Sequence, residues 1–337
     1  MTGLEKLLSV LAVLPFGLGL TVGGDALPKE HVAFSFADPE IIESSGLVAH
    51  DGLFATINDS GDSGRVFTVD PADGSTTAVT TWSGEPTDVE SIAPMPDGDV
   101  LVGDTGDNDE VRDSVELLKV PFGHDGEVEP TTYDLTYPDG PHDAETLLVH
   151  PVTGQVLIVD KDIIGRMYAA PAHLDPDGTN ELELRGDDLI GVATDGAFFP
   201  DGKHLIIRGY FSAAVYSWPS LKEVAKFDLP SQPQGEGIAV DDSGRVFLSS
   251  EGQYSDVLSF ALPPKVQAAV DGTSSSGSGT GGPAGQGGPG DADSTPGTVT
   301  DRDSPAQDAT RPYWPWAIGG VAGAVLLLVL RRALRPR

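Results

Sequence analysis

Five acids recur along the chain, each leading a short apolar run: Glu43, Glu90, Glu145, Asp195 and Glu236. A second polar set recurs with them. Six residues past the glycine of the turn that follows each run stand Asn58, Asp104, Asp160, Arg208 and Ser250, with Asp59, Asp107, Asn108, Lys161 and Glu251 nearby. Carboxylates brought to one place cannot all stay ionised cheaply; they protonate, pair with a cationic side chain, or bind a metal ion. Oxygen ligands without cysteine or clustered histidine select Ca2+ over zinc or copper. The expected metal ligands are Glu43, Glu90, Glu145, Asp195, Glu236 and Asp104, with Lys161, Arg208, Asn58 and Asp59 binding a ligand beside the ion. The competing reading of the same acids is structural: they accept hydrogen bonds from backbone amides of neighbouring repeats and fix the geometry of the assembly.

The elements that must carry these residues follow from their spacing. The acids are 47, 55, 50 and 41 residues apart, and after each apolar run a turn ends in glycine: Gly52, Gly98, Gly154, Gly202 and Gly244. A second apolar run follows each turn, which makes a β-hairpin. Further strands are legible in most units, such as Arg65 to Asp70 and Thr76 to Trp82 in the first. Four-stranded antiparallel units at this period are propeller blades. The fifth unit lacks its fourth strand, while His31 to Phe36 stands ahead of the first repeat and alternates Val32, Phe34, Phe36 as a strand does. The sequence therefore predicts an all-β, five-bladed β-propeller over residues 27–264, closed by its N-terminal strand, with a six-bladed ring as the alternative. The start of a hairpin's first strand and the end of its second lie at one end. Both polar sets are thus expected on one face, at the mouth of the central channel if the leading strands are innermost.

The fragments Glu43-Ser-Ser-Gly-Leu47, Asn58-Asp-Ser-Gly61, Gly103-Asp-Thr-Gly-Asp-Asn108 and Asp143-Ala-Glu-Thr-Leu147 carry a family likeness. The pattern resembles bacterial NHL and TolB-type propeller repeats, nearest to membrane-anchored actinobacterial propellers, and distantly resembles β-propeller phytases. The resemblance covers the whole folded region and implies architecture; it brings no catalytic residues to this chain.

Composition bounds the partners. The 337 residues include 52 Asp and Glu against 20 Lys and Arg, a net charge of −32, which disfavours nucleic acid and anionic membrane surfaces. With no cysteine there is no disulfide scaffold and no thiol nucleophile. The apolar stretch Leu7 to Val22 behind Lys6, followed by Gly24 and Ala26, reads as a cleaved secretory signal over residues 1–26. Residues 265–312, rich in Gly, Ser, Pro and Asp, read as a flexible stalk. Residues 313–330 carry no charge and would span about 27 Å as a helix. Tyr313, Trp314 and Trp316 stand at one end and four arginines in the tail 331–337 at the other, which orients the tail to the cytoplasm. The expected molecule is a single-pass plasma-membrane protein, a monomer with its propeller outside, binding an extracellular small molecule or protein.

Other motifs add little. Gly61-Asp-Ser-Gly64 copies the tetrad around a serine-protease nucleophile, but Arg65 follows and no histidine segment supports a triad. The run Asp104 to Asp109 has the composition of a calcium loop without the EF-hand spacing. Two functions remain: a binding module acting through an acidic, Ca2+-loaded face, and a metal-dependent hydrolase of phosphoesters or lactones, in which Lys161 and Arg208 would hold the anionic oxygens.

Overall fold

A computed structural model describes residues 30–59 and 61–272. The expected signal segment, the transmembrane segment, the basic tail and the stalk beyond residue 272 lie outside them. Among the described residues no helix is long and apolar enough to cross a membrane.

The described residues form five sheets arranged as propeller blades, each built on four antiparallel strands. Blade one is β2 (Ser44–His50), β3 (Leu53–Asn58), β4 (Arg65–Asp70) and β5 (Ser75–Trp82). Blade two is β6 (Val89–Pro94), β7 (Asp99–Asp104), β8 (Val115–Pro121) and β10 (Thr131–Thr136), and blade three is β11 (Ala144–Val149), β12 (Val156–Asp160), β13 (Gly165–Ala169) and β15 (Glu183–Leu189). Blade four is β16 (Asp195–Phe198), β17 (His204–Arg208), β18 (Ser212–Ser217) and β19 (Lys222–Asp228). Blade five is β20 (Gly235–Val240), β21 (Val246–Ser250) and β22 (Asp256–Phe260), completed by the N-terminal strand β1 (Glu30–Ser35). The innermost strands β2, β6, β11, β16 and β20 adjoin one another around the channel. All five turn glycines have positive φ, between 63° and 91°, the region a side chain avoids.

Successive residues of a strand point to opposite faces, so each blade packs both ways. Leu47 joins the core shared with blade five while Val48 joins the one shared with blade two. Phe198 and Phe199 divide in the same manner between the blade-three and blade-five sides. There is one such core at each of the five blade interfaces.

Two short strands and a helix were not expected. β9 (Gly126–Val128) and β14 (Thr179–Glu181) lie in the connections between the third and fourth strands of blades two and three. Each reaches back to pair in parallel with the outermost strand of the preceding blade, β5 and β10 respectively. Residues 264–270, mostly assigned by sequence to the stalk, form the short helix α1 (Pro264–Val270), whose Val266 is buried against the interface of blades four and five.

Closure is made by β1, which runs antiparallel to β22 with Glu30 opposite Phe260 and Ser35 opposite Asp256. Phe34 and Phe36 sit edge to face, and Phe34 also meets Phe54 of blade one at 5.0 Å between ring centroids. Phe36 is fully buried, so Phe36→Ala should cost about 3–5 kcal/mol. Val32→Ala, at a position 51 % exposed, should stay within about 0.5 kcal/mol. Unfolding midpoints in denaturant check both, and equal losses would contradict the closure described.

Candidate functional site

The registers place both polar sets at one end of the innermost hairpins. Ser44 faces Asn58, Val89 faces Asp104, Ala144 faces Asp160, Asp195 faces Arg208 and Gly235 faces Ser250. In four blades the register slips at the next step, leaving Ser45, Glu90, Glu145 and Glu236 on the bulges. These four and Asp195 occupy one equivalent position around the channel. The first blade therefore contributes Ser45, and Glu43 stands two residues further out, half-buried, beside Asp88 and Asp143 at the same offset in blades two and three.

The inner ring is buried throughout and its members are satisfied unequally. Asp195 accepts backbone N–H bonds from Ile238 at 2.7 Å, Gly196 at 2.7 Å and Leu47 at 3.2 Å, which span blades four, five and one. Burial pushes its carboxyl well above the usual range, and the three N–H groups act against that. The Ser45 hydroxyl lies 3.2 Å from a Glu90 carboxylate oxygen and 3.5 Å from one of Glu236. Glu145 is paired with Lys161, whose ammonium also sits 5.6 Å from the Tyr210 ring centroid.

Arg208 does not reach the mouth. It is fully buried, and its guanidinium donates to the carbonyl oxygens of Gly235 (2.6 Å), Gly237 (3.0 Å), Gly209 (3.2 Å) and Ser249 (3.4 Å). Asn58 and Asp104 likewise serve the backbone. Asn58 accepts from the N–H groups of Ile42 and Glu43, and Asp104 from those of Thr87 and Asp88, so each holds the chain entering its innermost strand. Arg112 pairs with Asp104 at 2.8 Å, and Arg166 pairs with Asp160 at 2.7 Å. These residues are the frame on which the mouth is built.

The groups that face the opening form an outer layer over the ring. Glu43, Asp59, Asp88, Asp143 and Glu251 are all half-buried there, with Lys161 and Tyr210. Backbone bonds of Asp59 N to Glu43 O (3.2 Å), Lys161 N to Asp143 O (2.8 Å) and Glu251 N to Gln234 O (3.1 Å) extend the hairpins into this layer. Carboxylate oxygens of Asp59, Asp88 and Glu90 lie within 4.8 Å of one another. Gly106 makes that approach possible, since a Cβ there would fall 2.4 Å from an Asp88 oxygen and 2.8 Å from Glu90 Cγ. Sequence reasoning missed Ser45, Asp88 and Asp143. The signal was present in Asp88-Val-Glu90 and Asp143-Ala-Glu145, an acid two residues ahead of the ring acid, which aligns Glu43 with Asp88 and Asp143 and puts Ser45 at the ring.

The electrostatics follow from crowding. Glu90 is pushed up to about 10 by burial and then by the charges of Glu145, Asp59 and Asp88. Glu236 is pushed up to about 8 by burial and by Glu251 and Glu145. Glu145 rises to about 7, where burial is partly offset by Lys161. Burial opposes the charge on Lys161, but Glu145 outweighs it and holds the ammonium well above its usual range. The arrangement can therefore take up protons or a cation. No family model and no curated protein matches this chain.

Two outcomes follow. The three glutamates hold their protons more tightly in the folded chain than in the unfolded one, where the ordinary value is 4.5. Their contribution is whole below that value and is lost as pH rises through about 7 for Glu145 and about 8 for Glu236. In chelator, the melting temperature of the protein should fall from about pH 5 to about pH 9, and Glu236→Gln should flatten the slope. A rising profile would contradict the raised values. Separately, Arg208→Met leaves buried carbonyls unpaired and should cost about 3–5 kcal/mol in chemical denaturation, with Arg208→Lys recovering only part because it lacks the planar fork.

Proposed function

We infer that this chain is a cell-surface binding module, in which a propeller held outside the membrane binds Ca2+ at its channel mouth and presents that face to an extracellular ligand. The observation that carries this is the convergence of Asp59, Asp88 and Glu90, with oxygens within 4.8 Å of one another, inside a field of carboxylates that Lys161 only partly offsets. Ca2+ takes six to eight oxygens at about 2.3–2.6 Å, so oxygens sharing one ion lie within about 5 Å of each other. A divalent ion there offsets the burial and the repulsion that otherwise keep Glu90 protonated.

Support for the location is in the sequence: an exported leader, an uncharged stretch at 313–330 and arginines beyond it. The binding reading is favoured over hydrolysis by the state of the two cations. A hydrolase of anionic esters needs groups to hold the substrate's oxygens, but Lys161 is engaged by Glu145 and Arg208 by backbone carbonyls. The carboxylates, not the cations, are what a ligand would meet.

Isothermal titration of the full-length protein in detergent micelles with CaCl2 should give a one-site heat at pH 8. Ca2+ should also raise the melting temperature and flatten its fall with pH, because bound ion replaces bound protons. Asp59→Asn with Asp88→Asn should abolish both effects. No heat, together with no melting shift on adding EDTA, would sink the reading.

A further inference from the structure

Ten large apolar side chains are exposed among the described residues, and Val32, Val152 and Leu184 lie on outer strands or on the opposite face. The other seven all stand in loops on the face that carries the channel mouth. Four of them come from three loops of blades three and four: Ile163 is 84 % exposed, Ile164 57 %, Val192 38 % and Phe211 64 %. The loops are held against one another. Val192 N donates to Asp162 O at 2.7 Å, and a Cβ on Gly209 would lie 2.7 Å from Val192 O. A Cβ on Gly191 would lie 1.8 Å from Ile163 O, so that contact is backbone on backbone. Tyr210, next to Phe211, lies over Lys161 and joins this ridge to the edge of the mouth.

An apolar ridge of this kind is stable in water only at a cost, and exposed clusters of large apolar side chains mark interaction surfaces. Its border identifies what covers it. Glu251, which the buried carboxyl of Glu236 hydrogen-bonds, and Glu43 lie on the next two blades around the ring, so one face offers apolar contact beside negative charge. A second copy of the same face would bring like charges together, and an anionic membrane surface would be repelled. A polypeptide carrying Lys or Arg next to a large apolar side chain satisfies both halves.

We propose that the ridge formed by Ile163, Ile164, Val192 and Phe211 docks a segment of an extracellular protein in which a Lys or Arg adjoins a large apolar residue, the apolar side chain seating on the ridge and the cation entering over the half-buried Glu251. This deepens the reading of the mouth as a recognition face and rests on it, but it does not need the ion, whose ligands Asp59, Asp88 and Glu90 come from blades one and two. Aromatic and arginine anchors concentrate energy at such sites.

The test is a selection. A random twelve-residue peptide library displayed on phage is panned on the full-length protein in detergent micelles, with and without EDTA, and in parallel on Ile163→Ser/Phe211→Ser. Both positions are exposed, so the variant should melt with the wild type. The expected result is enrichment of sequences with Lys or Arg within two positions of Leu, Ile, Phe or Trp, with or without EDTA. Synthetic copies should bind the wild type at least tenfold tighter than the variant in fluorescence anisotropy, and lose at least tenfold when their Lys or Arg becomes Gln. No enrichment, enrichment of acidic or wholly polar peptides, or equal binding to the variant overturns the proposal. So does a wild-type dimer in sedimentation that dissociates in the variant, which would place a second copy on the ridge. A missing Ca2+ heat with the peptide result intact overturns only the ion.

Discussion

Asp195 accepts hydrogen bonds from the backbones of three blades at once, and the closure of the ring depends on that contact. Five blades make a narrow channel, so the innermost strands approach closely near the ring. The residue after each ring position is small in every blade: Gly46, Ser91, Thr146, Gly196 and Gly237. A Cβ on Gly237 would fall 2.2 Å from Ser249 Oγ, and one on Gly46 would fall 3.0 Å from Ile92. Arg208 returns hydrogen bonds from blade four to the carbonyls of Gly235 and Gly237 in blade five. A buried acid and a buried base thus divide the task of satisfying backbone groups where a narrow ring excludes water. Either group alone would be an uncompensated buried charge.

The same constraint explains why the other ring acids differ. Asp195 is short, and its strand runs without a slip into register with Arg208, so its oxygens meet backbone N–H groups. Glu90, Glu145 and Glu236 are longer and sit on bulges, which re-aim a side chain away from the ladder. They gain a serine hydroxyl, one lysine and, for Glu236, a hydrogen bond to Glu251 in place of three amides, and neighbouring carboxylates add to the effect of burial on their proton affinity. One position of the ring therefore serves the fold, and the rest of it is open to a proton or an ion. Both readings of the repeated acids hold, at different members of one set.

The blades were legible in the sequence because hairpin physics is local. A turn glycine with positive φ between two apolar runs fixes each innermost pair, and the alternation of Val32, Phe34 and Phe36 marked the closing strand without any knowledge of its partner. β9 and β14 escaped because each is only three residues long and its partner lies in the preceding blade. Glu43 was aligned with the ring because side chains two apart in a strand share a face, so an error of two preserves the pattern. Arg208 occupied the expected register position, yet one spacing cannot say whether a long side chain turns outward to solvent or inward to carbonyls. That is decided by the glycines of the neighbouring blade, 27 and 29 residues away.

The two ends of the channel are chemically unlike, and this assigns the direction from which a ligand comes. Opposite the acids, a cavity of about 250 Å³ is walled by Leu47, Ile92, Leu147 and Ala197, with Pro94, Pro151 and Pro200 at the turns. Between this lining and the mouth stands the inner ring, whose members are all nearly inaccessible. At the rim of that end His50, Asp51 and Asp242 bring ligand atoms within 4.8 Å of one another, but inward of them the walls are apolar, and an ion passing those walls would lose its hydration before it met the ring. Entering from the other end, it meets the half-buried outer carboxylates first and exchanges water for oxygen ligands in steps. The acidic excess of the chain is general, but the stepwise path of carboxylates to the ring runs from the mouth, and that is also the face whose loops carry most of the exposed apolar side chains among the described residues.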